Sequence, residues 1–354
     1  MAALSDRFKS LTLKDILPIG LIGLIVTYLL LLPSFARNDY TLHVWIVAFF
    51  YAILASSWAL LSGYAGQFSF AHMAFMGIGA YTSGLLGRFM GFNVLSGIII
   101  GTIMAGVFGL IAGALVLRLR RTYLALFTIA FSEILRLVLM AEHAITEGPD
   151  GLPMEPLVAT TSKVPPYYIH LALLVASLAF MYWLANSRFG LFFRSIREDE
   201  EAAAAMGVHV VRYKIMVFVI TSMVAGLAGA VHFHYNEIIT PNSILILQMS
   251  IVITMAVIGG IESLFASAIG AIIIQHGLEQ MRPIDQAFSE WLLDVVGWNT
   301  QANWRLVVFG LGLMLTLRFF QNGLLHPVFD YLFRRQAREE TVSKRVAEPE
   351  VEEG

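Results

Sequence analysis

Long apolar runs separated by short polar or charged stretches dominate the chain. They extend from Ile16 to Leu32, His43 to Leu61, Phe68 to Leu86, Asn93 to Leu117, Tyr123 to Met140, Tyr167 to Ala185, Ile215 to His234 and Val307 to Leu317. A hydrocarbon core about 30 Å thick takes roughly 20 apolar residues per helix, so these runs predict membrane-spanning helices. A further run, Ile244 to Ile274, would be about 46 Å long as one helix at 1.5 Å per residue, too long for one crossing. Gly259-Gly260 is where it is expected to break and turn back.

The placement of charge supports that break. Seventeen of the 23 Lys and Arg residues fall in four segments: Arg7 to Lys14, Arg118 to Arg121, Arg188 to Lys214, and Arg318 onward. Cytoplasmic loops collect positive charge. With a cytoplasmic amino terminus, the last cluster is also inside only if Ile244 to Ile274 crosses twice. The expected fold is therefore an all-α polytopic membrane protein of about ten membrane segments, including discontinuous helices, with both termini cytoplasmic. Residues 1–15 form a cytoplasmic amino-terminal segment and 16–325 the transmembrane domain, with a cytoplasmic loop at 187–214. Residues 326–354 form a charged cytoplasmic tail with no apolar period, expected to be disordered. Between Asp285 and Trp298, Phe288, Trp291, Leu292 and Val295 share one helical face, which predicts a segment lying flat at the outer interface. The first run could instead be a cleaved signal ending near Ser34-Phe35-Ala36, but it exceeds the usual 7–15 apolar residues.

Composition agrees. Hydrophobic residues make up 58% and charged residues 14% of the chain, against about 45–50% and 25% in soluble domains. A net charge of -2 gives no basic footprint for nucleic acid. The chain has no cysteine, and none of its five lysines follows a glycine, so it has no phosphate-cradling Gly-Lys-Ser/Thr loop of its own. No metal-ligand constellation stands out, and no nucleophile-base pair or His-Glu-x-x-His arrangement lies on a span. Gly97, Gly101, Gly109 and Gly113 form two small-xxx-small steps that would let another helix approach closely.

The largest cytoplasmic loop carries the most specific signal. Ser195-Ile196-Arg197-Glu198 reads as a capping box ahead of an acidic cluster, four alanines and Met206-Gly207. Acids suit a helix start, alanine has the best helix propensity, and Gly207 supplies a left-handed stop. The spacing predicts a short exposed helix, either a plain connection or a docking element. Glu201-Ala202-Ala203, then three residues and Gly207, resembles the coupling motif of ABC importer permeases, whose helix sits in a groove of the ATP-binding subunit. Further segments resemble the branched-chain amino-acid permease family, in its longer member. These are Gly63 to His72, Tyr123 to Arg136, Glu147 to Gly151, Ser187 to Gly190 and Val257 to Gly260, in order. Two departures stand out: the later Ile-x-Leu-Pro part of the coupling motif is absent, and Phe319 to Gly323 lacks the usual proline.

The resemblance implies a permease subunit of an ATP-driven importer for branched-chain or similar amino acids in a bacterial or archaeal inner membrane. It implies four kinds of partner besides the bilayer: a second permease, two cytoplasmic ATPase subunits, an external substrate-binding protein and, through the ATPases, ATP. No cofactor is expected on this chain. Coupling would fall on Arg197, Glu198, Glu201, Ala202, Ala203, Met206 and Gly207. A permease for urea or short amides is the runner-up, and an ion-driven secondary transporter is a second class.

Half-helix amino termini aim N–H groups at anionic groups such as a carboxylate. Breaks at Gly63 to Gly66 and at Gly259-Gly260 therefore mark a translocation path or gate, with Gly66, Gln67, Ser69 and His72 beside the first. The last three could equally serve helix-helix hydrogen bonding. Ser69-Phe70-Ala71 and Ser263-Leu264-Phe265-Ala266 weakly suggest an internal repeat. Ionisable groups at membrane depth are costly. Glu133 and Arg136, spaced i to i+3, read as an intramembrane ion pair, with a gating role as the alternative. Glu262, beyond the second break, is a candidate proton relay. His232 and His234 read as interfacial.

Overall fold

The structure, a computed structural model, describes residues 26–35, 38–116 and 121–283 and a few isolated positions from 287 to 318. The amino-terminal half of the first run, the Asp285 to Trp298 segment, most of the Val307 to Leu317 run and both terminal segments lie outside the described residues.

The described chain is a helical bundle. Helix α1 is Val26–Phe35. Helix α2, Asp39–Ala59, runs into a π-helical turn at Leu60–Tyr64. Helix α3 spans His72–Met90, α4 Val94–Val116, α5 Arg121–Ala141 and α6 Val164–Ala185. Two short helices follow, α7 at Arg188–Glu198 and α8 at Glu200–Ala205. Then come α9 at Val210–Asn236, α10 at Ile246–Gly259 and α11 at Leu264–Gln280. Among the described residues, five helices are long and apolar enough to cross a membrane, and α10 and α11 form a pair bent by 119°. The break predicted at Gly259-Gly260 is therefore present, and the chain is a polytopic helical membrane protein.

Helix α2 is the centre. Its apolar window is 83% buried, and Trp58, Phe49, Ile53 and Leu54 are fully enclosed. Beside it, α3 begins four residues later than the apolar pattern predicts, because residues 65–71 form an irregular connection before His72. Helix α3 is less apolar than α2 and α4, and four of its residues are glycine. A helix wrapped by other helices needs no lipid-facing surface, and its first 13 residues are nearly all buried. Gly91, with φ 65°, closes it by donating its N–H to the Gly87 carbonyl at 3.1 Å.

Packing among α3, α4 and α9 relies on missing side chains. Gly79 lies directly against the Gly226 backbone, and Gly101 against the Gly79 carbonyl. The two small-residue steps on α4 serve two neighbours. A methyl group at Gly97 would come 2.8 Å from Ser83 Oγ of α3, and one at Gly113 would come 3.3 Å from Phe218 Cβ of α9. Without a hydrophobic force between helices in lipid, such close backbone approach maximises dispersion contact.

One end of the bundle carries a two-residue antiparallel ladder, Leu152–Pro153 with Ile238–Ile239, which a purely helical expectation did not anticipate. The same end corrects the reading of two histidines. His232 and His234 are 5% and 2% exposed, so they are core groups and not interfacial ones. His234 contacts the Glu155 carbonyl and Ser83 Oγ, each at 2.7 Å. His232 stacks on Phe50 with ring centroids 3.9 Å apart. The 142–163 connection covers His234, while Phe50 of α2 and His170 of α6 enclose His232.

The glycine contacts generate a stability prediction. Gly79→Val should lower the detergent-solubilised protein's thermal midpoint by an amount equivalent to about 1–3 kcal/mol of overpacking. Gly277→Ala, where nothing lies within 4 Å, should leave the midpoint unchanged or raise it, as read by fluorescence-detected size exclusion after heating.

Candidate coupling and gating site

The 187–209 segment folds differently in detail from its capping-box reading. Ser195 lies inside α7 and donates its hydroxyl to the Phe192 carbonyl at 2.9 Å. Helix α7 continues through it because Gly190, Phe193 and Ile196 bury one face at i, i+3 and i+6. Ser187 caps α7 by accepting from the Phe189 N–H at 3.2 Å. The cap of α8 is Asp199, whose extended backbone (φ -151°, ψ 111°) separates the two helices. Its carboxylate accepts from the Glu201 and Ala202 N–H groups at 2.9 and 3.0 Å. Gly207 has φ 85°, the left-handed stop predicted for it.

Helix α8 is held from one side only. Ala203 is buried with Ile196 and Val210 in a small satellite core. Lys214 Nζ bonds Glu200 Oε2 at 2.6 Å, tying α8 to the start of α9. Tyr213 stacks on Phe192 with centroids 4.6 Å apart. Outward face Glu201, Ala202, Ala204, Ala205, Met206 and Gly207 are exposed, Met206 at 85%. Glu198 is also exposed.

Arg197 points the other way, into the bundle. Its Nη1 donates to the Gly63 carbonyl at 2.5 Å, and its Nη2 to Glu262 Oε1 at 2.7 Å. One guanidinium thus contacts both helix breaks, 134 residues upstream and 65 downstream. The approach needs two glycines. Gly66 has φ 66°, and a Cβ there would sit 3.2 Å from Arg197 Cγ. Gly63 lies against the Ile261 carbonyl of the second break, leaving no room for a side chain. Arg194 adds a cation-π contact, 5.1 Å from the Tyr64 ring centre.

At the first break, residues 65–71 descend into the core. Gln67, Ser69 and His72 are at most 5% exposed. Gln67 Nε2 donates to the Ala65 carbonyl at 3.2 Å, and Trp58 Nε1 to the Ser69 carbonyl at 2.8 Å. Neither His72 ring nitrogen has a hydrogen-bond partner among the described residues. Phe70 is gripped from α5: its N–H donates to Thr128 Oγ1 at 3.0 Å, and Ser132 Oγ donates to its carbonyl at 3.2 Å.

At the second break, Gly260 adopts φ 123°, a conformation open mainly to glycine. Ser263 caps α11 by accepting from the Ala266 N–H at 3.3 Å. Ser267 Oγ donates to the Gly260 carbonyl at 3.0 Å, satisfying a group that the turn frees. The two breaks are built differently, since Ser69 makes only a local turn with the Ala71 N–H.

The structure thus brings Gly66, Arg197 and Gly260's segment to one end and leaves Glu133 and Arg136 apart on α5. Those two form the ion pair read from the sequence, Arg136 Nη2 to Glu133 Oε1 at 2.5 Å. Sequence reasoning missed Thr128, Ser132 and the engagement of Glu262 by Arg197, and no local pattern signals contacts this distant. The Arg197–Glu262 pair is partly exposed, 32% and 45% by side chain, so solvent screening limits it to about 1 kcal/mol. A double-mutant cycle of Arg197→Ala and Glu262→Ala, read by thermal stability in detergent, should give coupling of that order.

A family model described as branched-chain amino acid transport system / permease component matches residues 40–317. The high-affinity branched-chain amino acid transport system permease protein LivM of Escherichia coli is 28% identical over 285 residues, 73% of this chain and 66% of that protein. The permease protein LivH of Salmonella typhimurium is 25% identical over 244 residues, 63% of this chain and 79% of its own. The probable LivM of Methanocaldococcus jannaschii is 25% identical over 189 residues, 48% of this chain and 55% of its own. The chain covers just under two thirds of the length of the Escherichia coli protein. No solved structure matches. With most of its length matched by one family model, the chain belongs to the branched-chain amino acid transport system permease component family.

Proposed function

We propose that this chain is a permease subunit of an ATP-driven importer for branched-chain or similar hydrophobic amino acids. It spans the inner membrane about ten times with both termini cytoplasmic and pairs with a second, related permease. An external binding protein delivers substrate, and two cytoplasmic ATPase subunits bind and hydrolyse the ATP. The relatives named LivM and LivH support both the substrate class and the pairing of two permeases.

One observation carries the reading. Helix α8 presents a small-residue surface outward, while its neighbour Arg197 is hydrogen-bonded to both helix breaks. An ATPase that seats α8 in a groove and moves it acts on a unit already joined to Gly63 and Glu262. Displacement of that unit shifts the starts of α3 and α11 together. Both starts present backbone N–H groups, the chemistry that a substrate carboxylate requires. The five basic residues between Arg188 and Lys214 support a cytoplasmic position for this end. Glu262, which a proton-coupled carrier could have used as a relay, is instead engaged with Arg197 at this end of the bundle.

Ala204→Trp tests the reading, because Ala204 is exposed on α8 with ordinary helical backbone, so a bulky side chain there acts on whatever docks outside. ATP-driven leucine uptake into proteoliposomes holding the full assembly should fall at least about tenfold, the loss of one hot-spot contact. Membrane insertion and heat stability should stay near those of the parent. Unchanged uptake, or uptake by this chain alone along an ion gradient, would overturn the proposal.

A further inference from the structure

Helix α5 stands out among the spans by what it leaves uncovered. Its apolar window is 22% buried within the chain, against 39–83% for the other four long helices. The outward faces of α4 and α6 fit lipid. Leu95, Ile99, Ile103 and Val107 on α4, and Val175 and Phe180 on α6, are exposed with no charged group between them. The outward stripe of α5 is different. Tyr123, Leu126, Ala130, Ile134, Leu137 and Val138 are exposed along it, and at its edge stands Glu133, which leaves 43% of its side chain exposed.

Glu133 lies about 18 Å along the axis from the helix start at Arg121 and about 12 Å from its end at Ala141. That is hydrocarbon depth, where an acid facing lipid is expensive even with an ion-pair partner. Arg136 is 14% exposed and lies toward the flank of the stripe, so it neutralises Glu133 without covering it. A water-filled path would suit the carboxylate but not Leu126, Ala130 and Leu137. A protein surface suits all four, and the methyl of Ala130 allows a second helix to come close.

We infer that this stripe of α5 is the surface that meets the paired permease, whose chain supplies a hydrogen-bond donor or cation to Glu133. The inference rests on the two-permease reading above and adds to it the helix that makes the interface. It also gives the pairing surface a mechanical link through the body of the helix, since Thr128 and Ser132 on the inward face of α5 grip Phe70 of the first break.

The absence of cysteine from the chain allows a direct test. Single variants Leu137→Cys, Ile99→Cys and Val175→Cys are co-expressed with the second permease, purified as the complex and reconstituted. With an added oxidant, Leu137→Cys should form a disulfide with one position in a cysteine scan of the second permease, while Ile99→Cys and Val175→Cys should form none. Absence of any cross-link from Leu137→Cys across the scan would show a lipid face, and labelling by a charged water-soluble thiosulfonate would show an aqueous path; either overturns the assignment. If the two chains do not co-purify even without substitutions, the pairing itself fails, a result distinct from a misplaced interface.

Discussion

The contact that joins the structure is the reach of Arg197 to a backbone carbonyl and a carboxylate in two separate helix breaks. A break in a membrane helix frees carbonyl and N–H groups that lipid cannot satisfy. Something else in the protein must supply their partners. A guanidinium carries five donors in a rigid fork, so one side chain serves both breaks at once, which a lysine ammonium on a flexible stem would do poorly. Gly63 and Gly66 make the reach possible by offering bare backbone where side chains would stand. As a result, three segments far apart in sequence, residues 63–66, 197 and 260–263, act as one body.

The composition of α3 follows from its position between the breaks and the core. A lipid-facing helix must be apolar all round, and α4 is. Helix α3 trades that apolarity for glycines and hydroxyls because its neighbours shield it, and those small residues let α4 and α9 close to backbone contact. The same close packing buries His72 at the amino end of α3.

The long apolar helices were legible because lipid imposes a length and a composition on each crossing, and the second break was legible because two adjacent glycines interrupt a run too long to cross once. The left-handed stop at Gly207 was legible for a similar local reason. Where the sequence misled, the competing signal was tertiary. Ser195 and Glu198 have the spacing of a capping box, yet burial of Phe193 and Ile196 carries α7 past them and hands the cap to Asp199. His232 and His234 sit near a helix end, where an interfacial site is common, yet α2 and α6 enclose His232 and the 142–163 connection folds over His234. Glu262 reads as a lone acid because its partner Arg197 lies 65 residues away. Hydropathy and spacing report what happens within about one helical turn, and the site is assembled from contacts across the whole chain.

Two of the outward surfaces, those of α8 and α5, connect to the first break. At one end of the bundle, α8 connects to the first break through Arg197 and the Gly63 carbonyl. From within the membrane, α5 connects to it through Thr128, Ser132 and Phe70. The residues between them, 65–71, are the least regular backbone in the core, held by side-chain bonds and not by a helical ladder. Side-chain bonds of this kind contribute about 1 kcal/mol each and can exchange partners, whereas a continuous helix cannot bend without losing its ladder. On the proposed reading, a push on α8 therefore reaches the pairing surface through the one stretch able to rearrange at modest expense, and α2 and α9, buried and continuous, serve as the frame against which it moves.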